Sequence, residues 1–161
     1  MNREAKNCKF VIKFLAVFFV VSLLSRTVLS VFYIPSGSME PTLHKKSIHL
    51  GWRLSCILGT YCPKRGDVVV FREESGRHVV KRVIGLGDDV VSIENGCVHL
   101  NGEILDEPYL ASGTETEGKT EYRVPDGCVF LLGDNRSNSL DSRYWKNPFV
   151  EVRTVYAVIL I

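Results

Sequence analysis

The stretch Arg65-Gly66-Asp67-Val68-Val69-Val70-Phe71 decides the fold, because a tight turn here leads into a run of β-branched residues. Such a run is typical of a buried strand. A second turn, Glu73-Glu74-Ser75-Gly76, separates it from His78-Val79-Val80-Lys81-Arg82-Val83-Ile84, which is again rich in valine. The two segments therefore predict a β-hairpin.

Further strand signals follow along the chain. Asn95-Gly96 and Asn101-Gly102 are typical hairpin turns. The pattern predicts strands over residues 47–50, 89–93, 97–100, 122–124, 128–132 and 154–161, and a small, polar, mobile loop over residues 111–120. We therefore expect an all-β soluble domain, a mixed or antiparallel sheet folded on itself, behind one N-terminal transmembrane helix.

Composition limits the possible partners and cofactors. The 161 residues suffice for one domain with a core, and 20 Lys and Arg against 18 Asp and Glu leave a formal net charge of +2. This balance argues against nucleic acid as a partner. The five cysteines form no Cys-x-x-Cys pair, which argues against a zinc site. Four of them follow the apolar segment and form either two disulfides or separate thiols: Cys56, Cys62, Cys97 and Cys128.

The N-terminal part predicts a membrane anchor. We expect a basic cytoplasmic tail over residues 1–9, a transmembrane helix over residues 10–28 and an extracytoplasmic domain over residues 29–161. Lys13 and Arg26 bound the apolar run, and their long side chains can reach the two interfaces. The alternative is a signal peptide cleaved after Ser30. Either interpretation exports the C-terminal part.

A second decisive stretch is Ile34-Pro35-Ser36-Gly37-Ser38-Met39-Glu40-Pro41-Thr42-Leu43. Each proline fixes its own φ and favours extended backbone before it. We expect a stiff, extended loop that holds one serine hydroxyl in place, as a nucleophile requires. On composition alone, the stretch could also be a linker between anchor and domain.

A serine nucleophile needs a base, and none of the four histidines is placed convincingly for that role. Lys81, in contrast, interrupts an apolar strand. Because Lys81 and Arg82 point to opposite faces of that strand, at least one of them faces inward or toward a groove. A lysine desolvated by apolar neighbours has a lowered pKa and can act as a general base. The alternative is an edge strand with two solvated cations.

The third stretch, Gly133-Asp134-Asn135-Arg136-Ser137-Asn138-Ser139-Leu140-Asp141-Ser142-Arg143-Tyr144-Trp145, follows a predicted strand. Its acids and arginines can form ion pairs and turn caps, which favours a well-capped structural loop. A serine in it could also hydrogen-bond a buried lysine amine.

Together the three stretches resemble the type I signal peptidases, which are membrane-bound Ser-Lys endopeptidases. The resemblance runs from about residue 26 to the C-terminus and covers Ile-Pro-Ser-Gly-Ser-Met-Glu-Pro-Thr-Leu, Arg-Gly-Asp-Val-Val-Val-Phe with Val-Lys-Arg-Val-Ile-Gly-Leu, and Gly-Asp-Asn-Arg-x-x-Ser-x-Asp-Ser-Arg. It implies that Ser38 is the nucleophile and Lys81 the general base of a catalytic domain. Ser36 would contribute its hydroxyl to the oxyanion hole, and Ser139 would hydrogen-bond and position Lys81.

The same resemblance implies further roles. Asp141 and Arg143 would brace the third stretch, with Asp134 also near the site. Substrates would be exported preproteins with small residues at positions −1 and −3, bound as an extended strand at the surface of a lipid bilayer. No metal or organic cofactor would be required. Shallow substrate pockets would be lined by Phe32, Ile34, Met39 and Val80.

The chain departs from the family pattern in two turns. Gly85-Leu86-Gly87-Asp88-Asp89 lacks the proline of the family's Gly-Leu-Pro-Gly-Asp, and His44-Lys45-Lys46-Ser47 lacks a usual Gly-Asp. The sequence leaves three alternatives: a dedicated maturation peptidase for one pilin or conjugation-type substrate, an inactive export-site scaffold, and a self-cleaving Ser-Lys repressor. The intact Ser38 and Lys81 argue against the scaffold, and the anchor argues against the repressor.

Overall fold

A computed structural model describes residues 3–73, 75–118 and 121–161 of the chain. These residues form two α-helices and eleven strands. In chain order the elements are α1 (Arg3–Val28), β1 (Leu29–Tyr33), β2 (Ile48–Trp52), α2 (Leu54–Ile57), β3 (Val68–Arg72), β4 (His78–Gly85), β5 (Val90–Glu94), β6 (Cys97–Leu100), β7 (Glu103–Ile104), β8 (Glu121–Arg123), β9 (Cys128–Leu132), β10 (Phe149–Glu151) and β11 (Val155–Ile159).

The strands form two antiparallel sheets. The larger has the order β1-β2-β11-β3-β4-β9-β10, and the smaller has the order β7-β6-β5-β8. The predicted hairpin is β3–β4, whose register runs from Val68 opposite Arg82 to Arg72 opposite His78. The predicted all-β domain with a mixed or antiparallel sheet is therefore confirmed as a mostly β domain, in which the described strands pair antiparallel in two sheets.

The valine run of β3 is continuous because both faces of this strand are buried. Val68 and Val70 pack into one core cluster with Ala157, while Val69 packs into a second cluster with Leu131. Successive side chains of a strand point to opposite faces, so a strand covered on both sides carries no polar alternation. This arrangement places β4, with Lys81, next to a strand that is buried on both faces.

Three strands escape the sequence pattern. β1 follows α1 directly and lies at one edge of the large sheet, β10 lies at the other edge, and β7 lies at an edge of the small sheet. β7 has two residues and β10 has three, which is too few to show the alternation that identifies a strand. β1 continues the apolar sequence of α1 without a turn signal between them. Residues 111–118 belong to no helix or strand, and the Thr116 N–H donates to the Gly96 carbonyl at 2.8 Å. The mobility predicted for this segment stays a prediction.

The N-terminal helix α1 covers the predicted anchor and begins earlier, at Arg3. Its apolar side chains between residues 10 and 21 are exposed. Across the described part of the chain, no helix combines the length and the apolar character needed to cross a bilayer. Residues 1–2 of the predicted tail lie outside the described residues, and the domain boundaries stay a prediction.

The four cysteines of the β-domain are free thiols. Of the two alternatives that the sequence left open, the structure therefore has separate thiols and not disulfides. Burial raises the pKa of the Cys56 and Cys128 thiols, so both remain protonated near neutral pH.

Candidate active site

The segment from Ser36 to Leu43 folds into consecutive turns. The Glu40 N–H donates to the Gly37 carbonyl at 3.2 Å, and the Leu43 N–H donates to the Met39 carbonyl at 2.8 Å. The prediction of an extended loop is therefore wrong. A proline restricts only itself and the residue before it, which leaves residues 36–39 free to turn. Met39 and Leu43, four residues apart, are then buried on the same side and fix the turn to the core.

This turn brings Ser38 to Lys81 of β4. The Lys81 Nζ donates to the Ser38 Oγ at 2.8 Å, and the Ser36 Oγ lies 3.4 Å from the Ser38 Oγ. Lys81 is only 3% exposed. In the β3–β4 register Lys81 stands opposite Val69, so the strand pairing fixes its backbone.

The surroundings of Lys81 disfavour its charged form. Burial is the largest cause and lowers the pKa of the amine from 10.5 to about 8. The positive charge of Arg143 acts in the same direction, while the carboxylates of Asp141 and Asp134 oppose it. Near pH 8 a large share of the amine is therefore neutral and able to accept a proton.

Arg82, the neighbour of Lys81, is also buried. Its Nε donates to the Asp134 Oδ1 at 2.8 Å and its Nη2 to the Asp134 Oδ2 at 2.6 Å. Arg82 also donates to the Thr42 Oγ1 at 3.1 Å and to the Gly66 carbonyl at 2.8 Å. The alternative of two solvated cations on an edge strand is wrong. Sequence reasoning missed this role, although an arginine inside an apolar strand was a signal for it.

The 133–143 loop holds the turn that carries Ser38 by binding its backbone carbonyls. The Asn135 N–H donates to the Ser38 carbonyl and its Nδ2 to the Gly37 carbonyl, both at 3.1 Å. Asp141 in turn fixes the loop, because it accepts hydrogen bonds from the Gly133 N–H at 3.0 Å and from the Arg143 Nε at 2.8 Å. All the side-chain atoms of this ion pair are buried.

Ser139 lies beside this arrangement without the predicted bond. Its Oγ is buried and, within the described ranges, has no hydrogen-bond partner, so the expected bond to Lys81 is absent. The hydroxyl lies against Gly133 instead. A Cβ at position 133 would overlap the Ser139 Oγ and stand 2.6 Å from the Ser38 carbonyl oxygen. Only glycine therefore fits between the two serines.

The four side chains expected to line substrate pockets belong to one cluster next to Ser38. Ile34 and Met39 are core residues, exposed to 2% and 1%. Phe32 and Val80 are partly exposed on the edge of that cluster. Of the four, Phe32 and Val80 are therefore the side chains that reach the surface, and Ile34 and Met39 lie beneath them. In the described ranges, no three His, Cys, Asp or Glu side chains are grouped to hold a metal.

Comparison with known proteins places the chain in a family. The family model described as signal peptidase, peptidase S26, matches residues 8–160, almost the whole chain. The chain belongs to the S26 signal peptidase family. Among its relatives is the signal peptidase I of Bacillus caldolyticus, 36% identical over 84% of this chain and 80% of the relative. The resemblance to the type I signal peptidases is therefore confirmed, and the relatives support an enzyme of this type.

Other signal peptidases share different lengths of the chain. A probable signal peptidase I-2 of Synechocystis is 41% identical over 70% of this chain, which spans only 54% of that protein. The signal peptidase I of Pseudomonas fluorescens is 34% identical over 92% of this chain and 66% of the relative. A crystal structure of a signal peptidase I from Enterococcus faecalis has a TM-score of 0.54 and 30% identity, covering 62% of this chain and 98% of that one.

Proposed function

We propose that this protein is a serine endopeptidase in which Ser38 is the nucleophile and Lys81 the general base. One observation carries the proposal: the Lys81 amine is buried, its pKa is lowered to about 8, and it lies 2.8 Å from the Ser38 Oγ. A hydroxyl becomes an effective nucleophile only when a neighbouring base takes its proton. The buried amine is such a base.

The reaction follows from this geometry. The Ser38 Oγ attacks the scissile carbonyl carbon while neutral Lys81 accepts the hydroxyl proton. The negative oxygen of the tetrahedral intermediate is stabilised by the Ser38 N–H and the Ser36 hydroxyl. Lys81 then returns its proton to the leaving amine, which gives an acyl-enzyme. Water, deprotonated by Lys81, hydrolyses this ester and regenerates Ser38.

We infer that the substrate is a preprotein with small residues at positions −1 and −3 of its signal peptide. β9 pairs with β4 only from Arg82 to Gly85, so the part of β4 from His78 to Lys81 lies beyond this register. An extended peptide can add to such a backbone edge. The partly exposed Phe32 and Val80 border the cluster beside this edge and offer shallow apolar surface, which suits small side chains.

We infer further that the protein acts at a lipid bilayer, with its β-domain outside the cytoplasm. Three cross-strand pairs of β1 and β2 expose a continuous apolar face next to the end of α1. A patch of this kind is typical of an interaction surface. Its residues are Leu29, Val31, Tyr33, Ile48, Leu50 and Trp52. Alkaline extraction of membranes, followed by protease protection, tests whether α1 spans the bilayer and on which side the domain lies.

The direct test is incubation with a preprotein that carries Ala at −1 and −3, with mass spectrometry of the products. Ser38→Ala and Lys81→Ala should abolish cleavage, whereas Ser75→Ala, a change in the exposed β3–β4 turn, should not. Cleavage by the Ser38→Ala variant would overturn the proposal. Cleavage of one among several unrelated preproteins would identify a dedicated peptidase, and a folded protein that cleaves none would be a scaffold.

A further inference from the structure

Residues 105–118, between β7 and β8, cross the 133–143 loop and are called the strap here. We propose that Glu107 of the strap is a positioning residue for the Ser38–Lys81 pair and acts through Arg136. This inference rests on the proposed function, since it concerns the same two residues.

The Arg136 side chain is enclosed by the strap. It is 1% exposed, and its guanidinium forms an ion pair with both carboxylate oxygens of Glu107. The Arg136 Nη1 also donates to the Thr116 Oγ1 at 2.6 Å, and the Nε donates to the Gly133 carbonyl at 3.1 Å. Two strap residues and one loop carbonyl therefore share a single buried cation, which ties the two segments together.

Arg136 is placed between the strap and the catalytic residues. The Gly133 carbonyl that it binds belongs to the residue packed against the Ser38 carbonyl. The Arg136 carbonyl accepts a hydrogen bond from the Arg143 Nη2 at 2.8 Å, next to the Asp141 ion pair. A displacement of Arg136 therefore acts on the glycine beside Ser38 and on the Asp141–Arg143 pair, whose charges influence Lys81.

A second contact joins the strap to β4. The Tyr109 ring stacks on Arg82, whose guanidinium carbon lies 3.9 Å from the ring centroid. The Tyr109 hydroxyl donates to the Glu107 Oε1 at 2.6 Å. Burial and the neighbouring carboxylate raise the pKa of Tyr109 above its usual range, so the hydroxyl stays protonated and keeps donating. Glu107 therefore binds Arg136 directly and supports Arg82 through Tyr109.

The consequence of losing the Glu107 charge follows from burial. Arg136 would be left as a buried cation without its counter-ion, which is far more unfavourable than an exposed one. The 133–143 loop would then open to admit water. Since burial is the main cause of the lowered pKa of Lys81, water near that amine would raise its pKa.

The test compares Glu107→Gln with Asp89→Asn, a matched control. Asp89 is also a little-exposed carboxylate paired with an arginine, Arg65 at 2.6 Å. Its carboxylate also accepts hydrogen bonds from the Leu86 N–H and the Asn101 Nδ2 and, among the described residues, none from the 133–143 loop. Both variants should lower the Tm. Only Glu107→Gln should lower kcat about tenfold or more, with a smaller change in KM, and move the acid limb of kcat/KM to higher pH by about half a unit or more.

A readout independent of activity is hydrogen exchange of the peptide spanning residues 131–145, which Glu107→Gln should accelerate and Asp89→Asn should not. Thr116→Val, which keeps the shape and removes one Arg136 contact, gives the same comparison if Glu107→Gln does not fold. The proposal would be overturned if Glu107→Gln left both the hydrogen exchange of residues 131–145 and the acid limb of kcat/KM unchanged. It would also be overturned if Asp89→Asn changed both quantities by the same amount. If the wild type and Ser38→Ala cleave alike, the proposed function fails, yet the exchange data still decide this inference.

Discussion

Both carboxylate oxygens of Asp134 bind the guanidinium of Arg82, and both side chains are almost completely buried. Thr42 donates to the same carboxylate from the nucleophile turn. One ion pair therefore connects the three sequence stretches that carry Ser38, Lys81 and the 133–143 loop. Its geometry links the stability of the domain to the placement of the dyad.

Replacing Asp134 by Asn should destabilise the protein strongly, because a buried arginine would lose its counter-ion. Removal of one partner of a buried pair costs about 3–5 kcal/mol. Urea unfolding at pH 7 measures the change. The control is Arg123→Gln, since the Arg123–Glu121 pair is exposed with its atoms 3.8 Å apart, and it should change the free energy of unfolding by less than about 1 kcal/mol. Equal losses in both variants would contradict the prediction.

Peptidase activity should depend on the protonation of Lys81. Its pKa of about 8 means that the amine is mostly protonated, and inactive as a base, at pH 6. We expect kcat/KM to rise about tenfold per pH unit at low pH and to level off above pH 8. A fluorogenic peptide assayed between pH 5 and 10 measures the profile. An acid limb of kcat/KM with its midpoint near pH 10 would mean that the Lys81 amine is solvated.

The same pKa shift predicts how stability depends on pH. The buried amine binds its proton less tightly than the unfolded chain does, so the wild type gains stability as pH rises from about 8 to 10.5. Lys81→Met removes this dependence. The free energy of unfolding of Lys81→Met minus that of the wild type should be largest below pH 8. This difference should fall by roughly 3 kcal/mol between pH 8 and pH 10.5, because only the wild type gains stability over that range. Parallel stability curves for the two proteins would argue against a dry amine.

Gly133→Ala should impair activity and stability together. The added methyl group would overlap the Ser139 Oγ and press on the Ser38 carbonyl, so the nucleophile must move. Overpacking costs about 1–3 kcal/mol, and displacement of a catalytic group by 1 Å can cost roughly a hundredfold in rate.

Gly59→Ala is a suitable control for this substitution. Gly59 has a φ of 66° and open space around the position of a Cβ. Its replacement should cost about 1 kcal/mol from the backbone alone and leave kcat/KM unchanged. Near-normal activity of Gly133→Ala would show that the two serines tolerate a wider separation.

Local sequence signals predicted much of the sheet. The valine run and the Asn-Gly turns identified β3, β4, β5 and β6, because strand and turn preferences depend on neighbouring residues. The same signals failed for the turn at Ser38, whose shape is fixed by burial of Met39 and Leu43 in the core. The resemblance to the type I signal peptidases implied a bond between Ser139 and Lys81, and the packing of Ser139 against Gly133 does not form it.

The order of the residues alone identified a serine between prolines, a lysine inside an apolar strand and the family to which such a combination belongs. Tertiary structure alone decided that Lys81 meets a serine 43 residues away, that Arg82 is buried against an acid 52 residues away, and that Glu107 encloses Arg136. The reason is physical: desolvation and ion pairing depend on what surrounds a group in space, and only the packed chain brings those surroundings together.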